Sequence, residues 1–139
     1  MAKHFETFEH TADIGLAAKA DSLGELFEAL AEGLAEMICP RGQVEPLQTR
    51  GLTVEAEDIE ALAVDALTDV MNMIQTDRFA VSAVRVKRAE PTALEAELLG
   101  EPYDPARHVI DREVKAVTYH QLRIARDGEM WTGRVILDI

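Results

Sequence analysis

The stretch Asp13-Ile14-Gly15-Leu16-Ala17-Ala18-Lys19-Ala20-Asp21-Ser22-Leu23-Gly24-Glu25-Leu26-Phe27 changes its period halfway along. From residue 13 to 20 the chain alternates. Ile14, Leu16 and Ala18 fall on one face and Asp13, Gly15 and Ala17 on the other, as in a half-buried strand. Beyond Ser22, the residues Leu23, Leu26, Phe27, Leu30, Leu34, Met37 and Ile38 recur at helical spacing, so a helix is expected to about Met37. Ser22 and Glu25 have the spacing of a capping box, with Ser22 as N-cap and Glu25 reaching back to it. Pro40 and Gly42 end the helix.

The same switch recurs downstream. Leu52-Thr53-Val54-Glu55-Ala56 alternates and reads as a strand, and Asp58 is a good N-cap, with Glu60 in the positive first turn. Ile59, Leu62, Ala66, Leu67, Val70 and Ile74 form the apolar stripe of a second helix, to about Gln75. Strands are then expected at 81–86 and 93–99, with a turn at Glu90-Pro91. Residues 114–125 and 130–139 read as a hairpin closed by Asp127-Gly128. Two amphipathic helices and six or seven strands predict an α+β fold of two layers, a mixed or antiparallel sheet packed against two helices. No repeat, low-complexity tract or linker divides the sequence, so residues 1–139 read as one domain.

Composition narrows the function. The chain carries 26 acidic and 14 basic residues, a net charge of −12. Binding nucleic acid requires basic side chains that neutralise phosphates, so no direct nucleic-acid binding is expected. A role in nucleic-acid chemistry would run through a partner protein or a bound metal. The acidity is equally suited to keeping a domain soluble. No apolar run nears the roughly 18 residues needed to span a bilayer, and Met1 to Glu6 lacks the apolar stretch of a secretory signal. A cytoplasmic location without membrane association is therefore expected. The single cysteine, Cys39, lies beside Pro40 at a helix end and reads as a buried small hydrophobe.

The residues that bear on chemistry lie near the two ends. Glu9-His10-Thr11-Ala12-Asp13-Ile14-Gly15 begins one expected strand and Asp138-Ile139 closes another. Strand parity puts Val135, Leu137 and Ile139 on one face, and Arg134, Ile136 and Asp138 on the other. If the apolar sets face the helices, Asp13 and Asp138 face away from them and can meet across one sheet. With the Ile139 α-carboxylate they would form an oxygen-rich cluster suited to Ca²⁺, Mg²⁺ or Mn²⁺, and His10 would be a ligand or an orienting residue. Spacing alone favours a solvated Asp138, a strand-initiating Asp13 and a capped turn at His10 and Thr11. Lys115 is expected on the face opposite Leu122 and Ile124, together with Val117 and Tyr119, near the carboxylates or simply at the surface. His108 and His120 do not frame a zinc site. Glu101 and Asp104 form an acidic loop that reads as a turn. The chain has no glycine-rich phosphate loop, Cys-x-x-Cys, His-Glu-x-x-His or nucleophile elbow.

Taken together and in order, Glu9 to Gly15, Val44-Glu45-Pro46, Gly100-Glu101, His108, Lys115-Ala116-Val117-Thr118-Tyr119-His120 and Asp138-Ile139 resemble the archease family. Archeases are small proteins that assist RtcB-type RNA ligases in tRNA splicing and RNA repair. The resemblance covers essentially the whole chain. It implies a divalent-cation site at Asp13 and Asp138, with the Ile139 carboxylate or carbonyl as a further ligand and calcium as the first choice over Mg²⁺ or Mn²⁺. It also implies functional roles for Lys115 and His10. The implied activity is non-catalytic: promotion of guanylation of the ligase's active-site histidine and of multiple turnover, through a transient contact with the ligase. The alternative is a general acidic binding or chaperone-like module without ligase specificity.

Overall fold

The computed structural model describes residues 3–10 and 13–139, the side chains of Glu9 and His10 excepted. Strands β1 (His4–His10) and β2 (Asp13–Ala20) precede helix α1 (Leu23–Ile38), and a 3-10 turn at Arg41–Gln43 leads to β3 (Gln48–Glu55) and helix α2 (Ile59–Gln75). Then come β4 (Phe79–Glu90), β5 (Ala93–Pro102), β6 (Ala116–Val117), β7 (Arg123–Asp127) and β8 (Met130–Asp138). Both helices start where the sequence signals them. The Ser22 hydroxyl accepts the Glu25 N–H at 3.2 Å, and the Asp58 carboxylate accepts that of Ala61 at 2.8 Å. The Glu25 carboxylate meets the Ser22 hydroxyl at 3.1 Å, completing the cap between side chains.

The strands form two sheets, and every pairing among the described residues is antiparallel. The larger runs β1-β2-β8, with β6 and β7 both on the far side of β8, and the smaller runs β3-β5-β4. One core joins both sheets to both helices. Leu16, Leu137, Leu98 and Phe79 lie in it with Leu26, Leu30, Leu34, Leu62, Leu67 and Ile74. Cys39 caps α1 and is buried, and that burial pushes its thiol above the usual range. No helix among the described residues is long and apolar enough to cross a membrane.

Sheet edges expose unpaired N–H groups that must be satisfied. At the β4 edge, α1 supplies the acceptors. Glu32 accepts the Val84 N–H at 2.9 Å and Glu28 that of Val86 at 2.8 Å. The two glutamates are one helical turn apart and so address alternate residues of the strand. Lys3 lies between them, 3.1 Å from Glu28 and 3.3 Å from Glu32.

The expected strand over 114–125 is broken in two. Residues 118–122 leave the ladder, with Gln121 in the left-handed region at φ 53. This excursion shifts side-chain parity. Val117 and Ile124, which continuous alternation would separate, are both buried on the core face, opposite Leu137 and Gly133. The closing turn of the hairpin is Gly128-Glu129, one residue beyond the expected pair. Asp127 is still paired with Met130, and Gly128 supplies the positive φ of 67.

A carboxylate row on the outer face of the large sheet

The geometry of the candidate site follows from the register of four strands. His10 pairs with Asp13, Asp13 with Asp138, and Asp138 with Ala116, so these four positions form one row across β1, β2, β8 and β6. Direct partners in an antiparallel ladder have Cα atoms about 4.5–5.5 Å apart and side chains on the same face. Their neighbours Ile14, Leu16, Val135 and Leu137 are buried, so parity puts Asp13 and Asp138 on the face turned away from the helices. Both aspartates are half-buried, and Ile139 packs against the core beside them. His10 ends β1 and holds a register position in the row, while Thr11, expected in a turn, lies outside the described residues. Two carboxylates with an adjacent main-chain oxygen from Ile139 make a hard donor set suited to Ca²⁺, Mg²⁺ or Mn²⁺. Among the described residues no group of three or more His, Cys, Asp or Glu side chains gathers for a metal. The pair would need main-chain oxygen or water to complete a coordination sphere.

Lys115 reaches this row by its backbone. Its N–H donates to the Asp138 carbonyl at 2.7 Å, while its side chain is exposed. The expected outward set of Lys115, Val117 and Tyr119 does not form, because Val117 is in the core and Tyr119 lies in the excursion after β6. Thr118 fastens the same segment, donating from both its N–H and its hydroxyl to the Ile136 carbonyl.

The next row toward the sheet centre pairs Phe8 with Gly15 and Gly15 with Ile136. The Phe8 ring occupies the space a side chain on residue 15 would need, since a Cβ there would lie 1.9 Å from its Cζ. Ile136, expected to be outward-facing, does lie on that face, yet it is only 1 % exposed. The Arg134 guanidinium stacks on Phe8, 4.4 Å from the ring centroid.

A second polar cluster lies apart from the row. Glu101, 4 % exposed, accepts two N–H bonds from Arg107 and the Glu45 N–H at 2.7 Å. The His108 ring is fully buried, and its Nδ1 accepts the Asp104 N–H at 2.9 Å. The proton of the neutral ring is therefore on Nε2, 3.1 Å from Glu101. The Arg107 guanidinium, then the Glu45 N–H, hold the Glu101 carboxyl down at about 2. Gly100 precedes it because a Cβ there would meet the Ala80 carbonyl oxygen at 1.8 Å. The acidic loop is thus a closed ion-pair network that ties the segment after β5 to the connection before β3. With both Glu101 oxygens engaged by Arg107 and one of them also by Glu45 and His108, it has the marks of scaffolding.

The archease protein family model matches residues 5–139. The chain belongs to the archease family. It is 38% identical to the protein archease of Pyrococcus abyssi over 142 residues, covering 99% of each chain. It is 33% identical to that of Methanosarcina acetivorans, covering 100% of this chain and 98% of the relative. Among solved structures, the solution structure of Methanobacterium thermoautotrophicum protein 1598 aligns with a TM-score of 0.79 at 28% identity, over 97% of this chain and 98% of that one. A crystal structure from Thermotoga maritima, described as an archease and possible chaperone, shares the fold with a TM-score of 0.60 at 24% identity, over 96% of each chain.

Family motifs acquire physical reasons in this archease fold. Gly15 makes room for Phe8, and Glu45 contributes its backbone to Glu101. No local pattern singles out Arg107, and its position six residues after Glu101 on a loop rich in turn residues is the available signal. Phe8 and Arg134 were equally silent, because their contact depends on which strands are neighbours.

Proposed function

We propose that this archease-family chain is a non-catalytic protein cofactor of an RtcB-type RNA ligase in tRNA splicing and RNA repair. It promotes guanylation of the ligase's active-site histidine and multiple turnover. The observation that carries this reading is the direct pairing of Asp13 with Asp138 on an open sheet face, where Asp13, Asp138 and an Ile139 oxygen would hold Ca²⁺, or Mg²⁺ or Mn²⁺. A divalent cation bound there would neutralise charge developing on phosphoryl oxygens during histidine attack on GTP. The aspartates would orient that charge toward the ligase cleft, and the backbone bond from Lys115 keeps the edge of the row in place. A net charge of −12 favours rapid, reversible encounter with an RNA-binding partner that is basic near its cleft.

The test is guanylation and ligation by the host's RtcB-type enzyme with Mn²⁺ and GTP, with and without substoichiometric amounts of this protein. Many cycles per added molecule support a recycling cofactor. No stimulation of an active ligase by folded protein removes the reading. The possible-chaperone description of the Thermotoga maritima relative favours a second reading, a general acidic chaperone-like module. That module would protect unrelated clients and be indifferent to Asp13.

A further inference from the structure

Two rows below the carboxylates the outer face of the large sheet changes sign. Glu6, Ala17, Arg134 and Arg123 are consecutive register partners, followed by His4, Lys19, Thr132 and Ala125. Arg123 and Arg134 are thus direct cross-strand neighbours, a like-charge pairing that opposes folding. Among the other basic residues described, Lys3, Arg41, Lys87, Arg88 and Arg107 each meet a glutamate, whereas Arg50, Arg78, Arg85, Arg112, Lys115 and Arg126 do not, so it is the cross-strand juxtaposition that sets this face apart. Among the described residues, Lys19, Arg123 and Arg134 have no carboxylate partner, in a chain with almost twice as many acids as bases. Arg134 is also held in place, by Phe8 beneath it and by Gln121, whose side-chain oxygen accepts from it at 3.3 Å. A groove of about 210 Å³ opens here over Ala17, lined by His4, Glu6, Lys19, Thr132 and Arg134.

We propose that the Arg123, Arg134 and Lys19 face binds an oligophosphate anion, the tail of a nucleoside triphosphate or free pyrophosphate. A fixed guanidinium beside a second one presents paired N–H donors matched to phosphate oxygens, and a bound anion offsets the repulsion between the two arginines. Three cations and a small groove suit a compact anion. An RNA backbone, contacted through 6–10 phosphates in typical interfaces, would need more cations than the three this face offers. Arg134 and Asp138 lie four residues apart on β8, about 14 Å at strand rise, so anion and cation sites would share one face. This inference rests on the proposed ligase function only for its place in the reaction. Binding itself is a property of the isolated protein.

The experiment is calorimetric titration of the full chain with sodium pyrophosphate and with GTP, in EDTA at low ionic strength. Binding without metal is expected, weakened about tenfold or more by Arg123→Gln and by Arg134→Gln, with Arg134→Lys in between because it keeps charge and loses the fork. Asp13→Ala and Asp138→Ala are expected to bind as wild type does. Arg123 has no partner to lose, so Arg123→Gln is expected to unfold at the wild-type temperature or above it. No heat at millimolar anion, or undiminished affinity in Arg123→Gln, overturns the proposal. So does tighter binding of an unphosphorylated single-stranded RNA, which would make this a backbone-binding surface. Ligase stimulation that survives such a result leaves the proposed function standing and removes the anion site alone.

Discussion

The Phe8 ring lies directly over Gly15, where a methyl group would come within 1.9 Å of its Cζ. Gly15→Ala must therefore lift the ring and with it the Arg134 stack. A cost of about 1–3 kcal/mol is expected, as for other overpacking changes. Gly100→Ala should cost more, because its Cβ would strike the Ala80 carbonyl, which has no rotamer to escape into. Denaturant unfolding of the two variants checks the order. Equal and negligible losses would contradict these contacts.

Asp13→Ala and Asp138→Ala should abolish ligase stimulation while leaving thermal unfolding of the metal-free protein nearly unchanged, since neither side chain is part of the core. Calcium should raise the wild-type unfolding temperature. A ligand at about 100 times its Kd adds about 2.7 kcal/mol, and both variants should lose that shift. Loss of stimulation through unfolding would sink the assignment.

Glu101 links acid stability to a single network. Its carboxyl is held at about 2, against an ordinary value of 4.5. The folded state thus favours the ionised form, and the resulting stability is complete above about pH 4.5 and drains away as pH falls toward 2. Glu101→Gln should be less stable at neutral pH, with the difference from wild type shrinking across that window. Urea unfolding at a series of pH values measures it, and a difference independent of pH would refute the network's role.

Glu32→Ala would leave the buried Val84 N–H without its acceptor. The expected cost is about 1–3 kcal/mol, with faster hydrogen exchange at Val84 and greater self-association through the opened β4 edge. Exchange at Val84 matching wild type would show that water replaces the carboxylate freely.

Local periodicity carried most of the architecture. The period change at Ser22 and the stripe from Ile59 to Ile74 gave both helices, and alternation gave β2, β3 and β8. The reading failed where a local rule was overridden by a neighbour's needs. Gln121 breaks an apparently continuous strand, which reversed the expected face of Val117. Local pattern does not delimit strand β1, because Phe5 faces the core while Phe8 covers the other side, so its apolar residues do not alternate. The carboxylate row was partly legible, since parity faced both aspartates outward. That they are direct partners depends on β8 inserting between β2 and β6, which no local pattern encodes. The Glu101 network was invisible for the same reason, as its members come from three separate segments.

The order of the strands also sets an order of events. Strands β3, β4 and β5 are close in sequence, whereas β8 must reach back to β2 across nearly the whole chain. Until β8 has been synthesised, β1 and β2 form only a two-stranded ribbon, which is marginal on its own in water. The small sheet and its helices can therefore condense early, while the large sheet waits on a costly long-range closure. That closure is the same step that brings Asp138 beside Asp13. A nascent or partly unfolded chain lacks the row altogether, so the paired aspartates exist only in the completed fold.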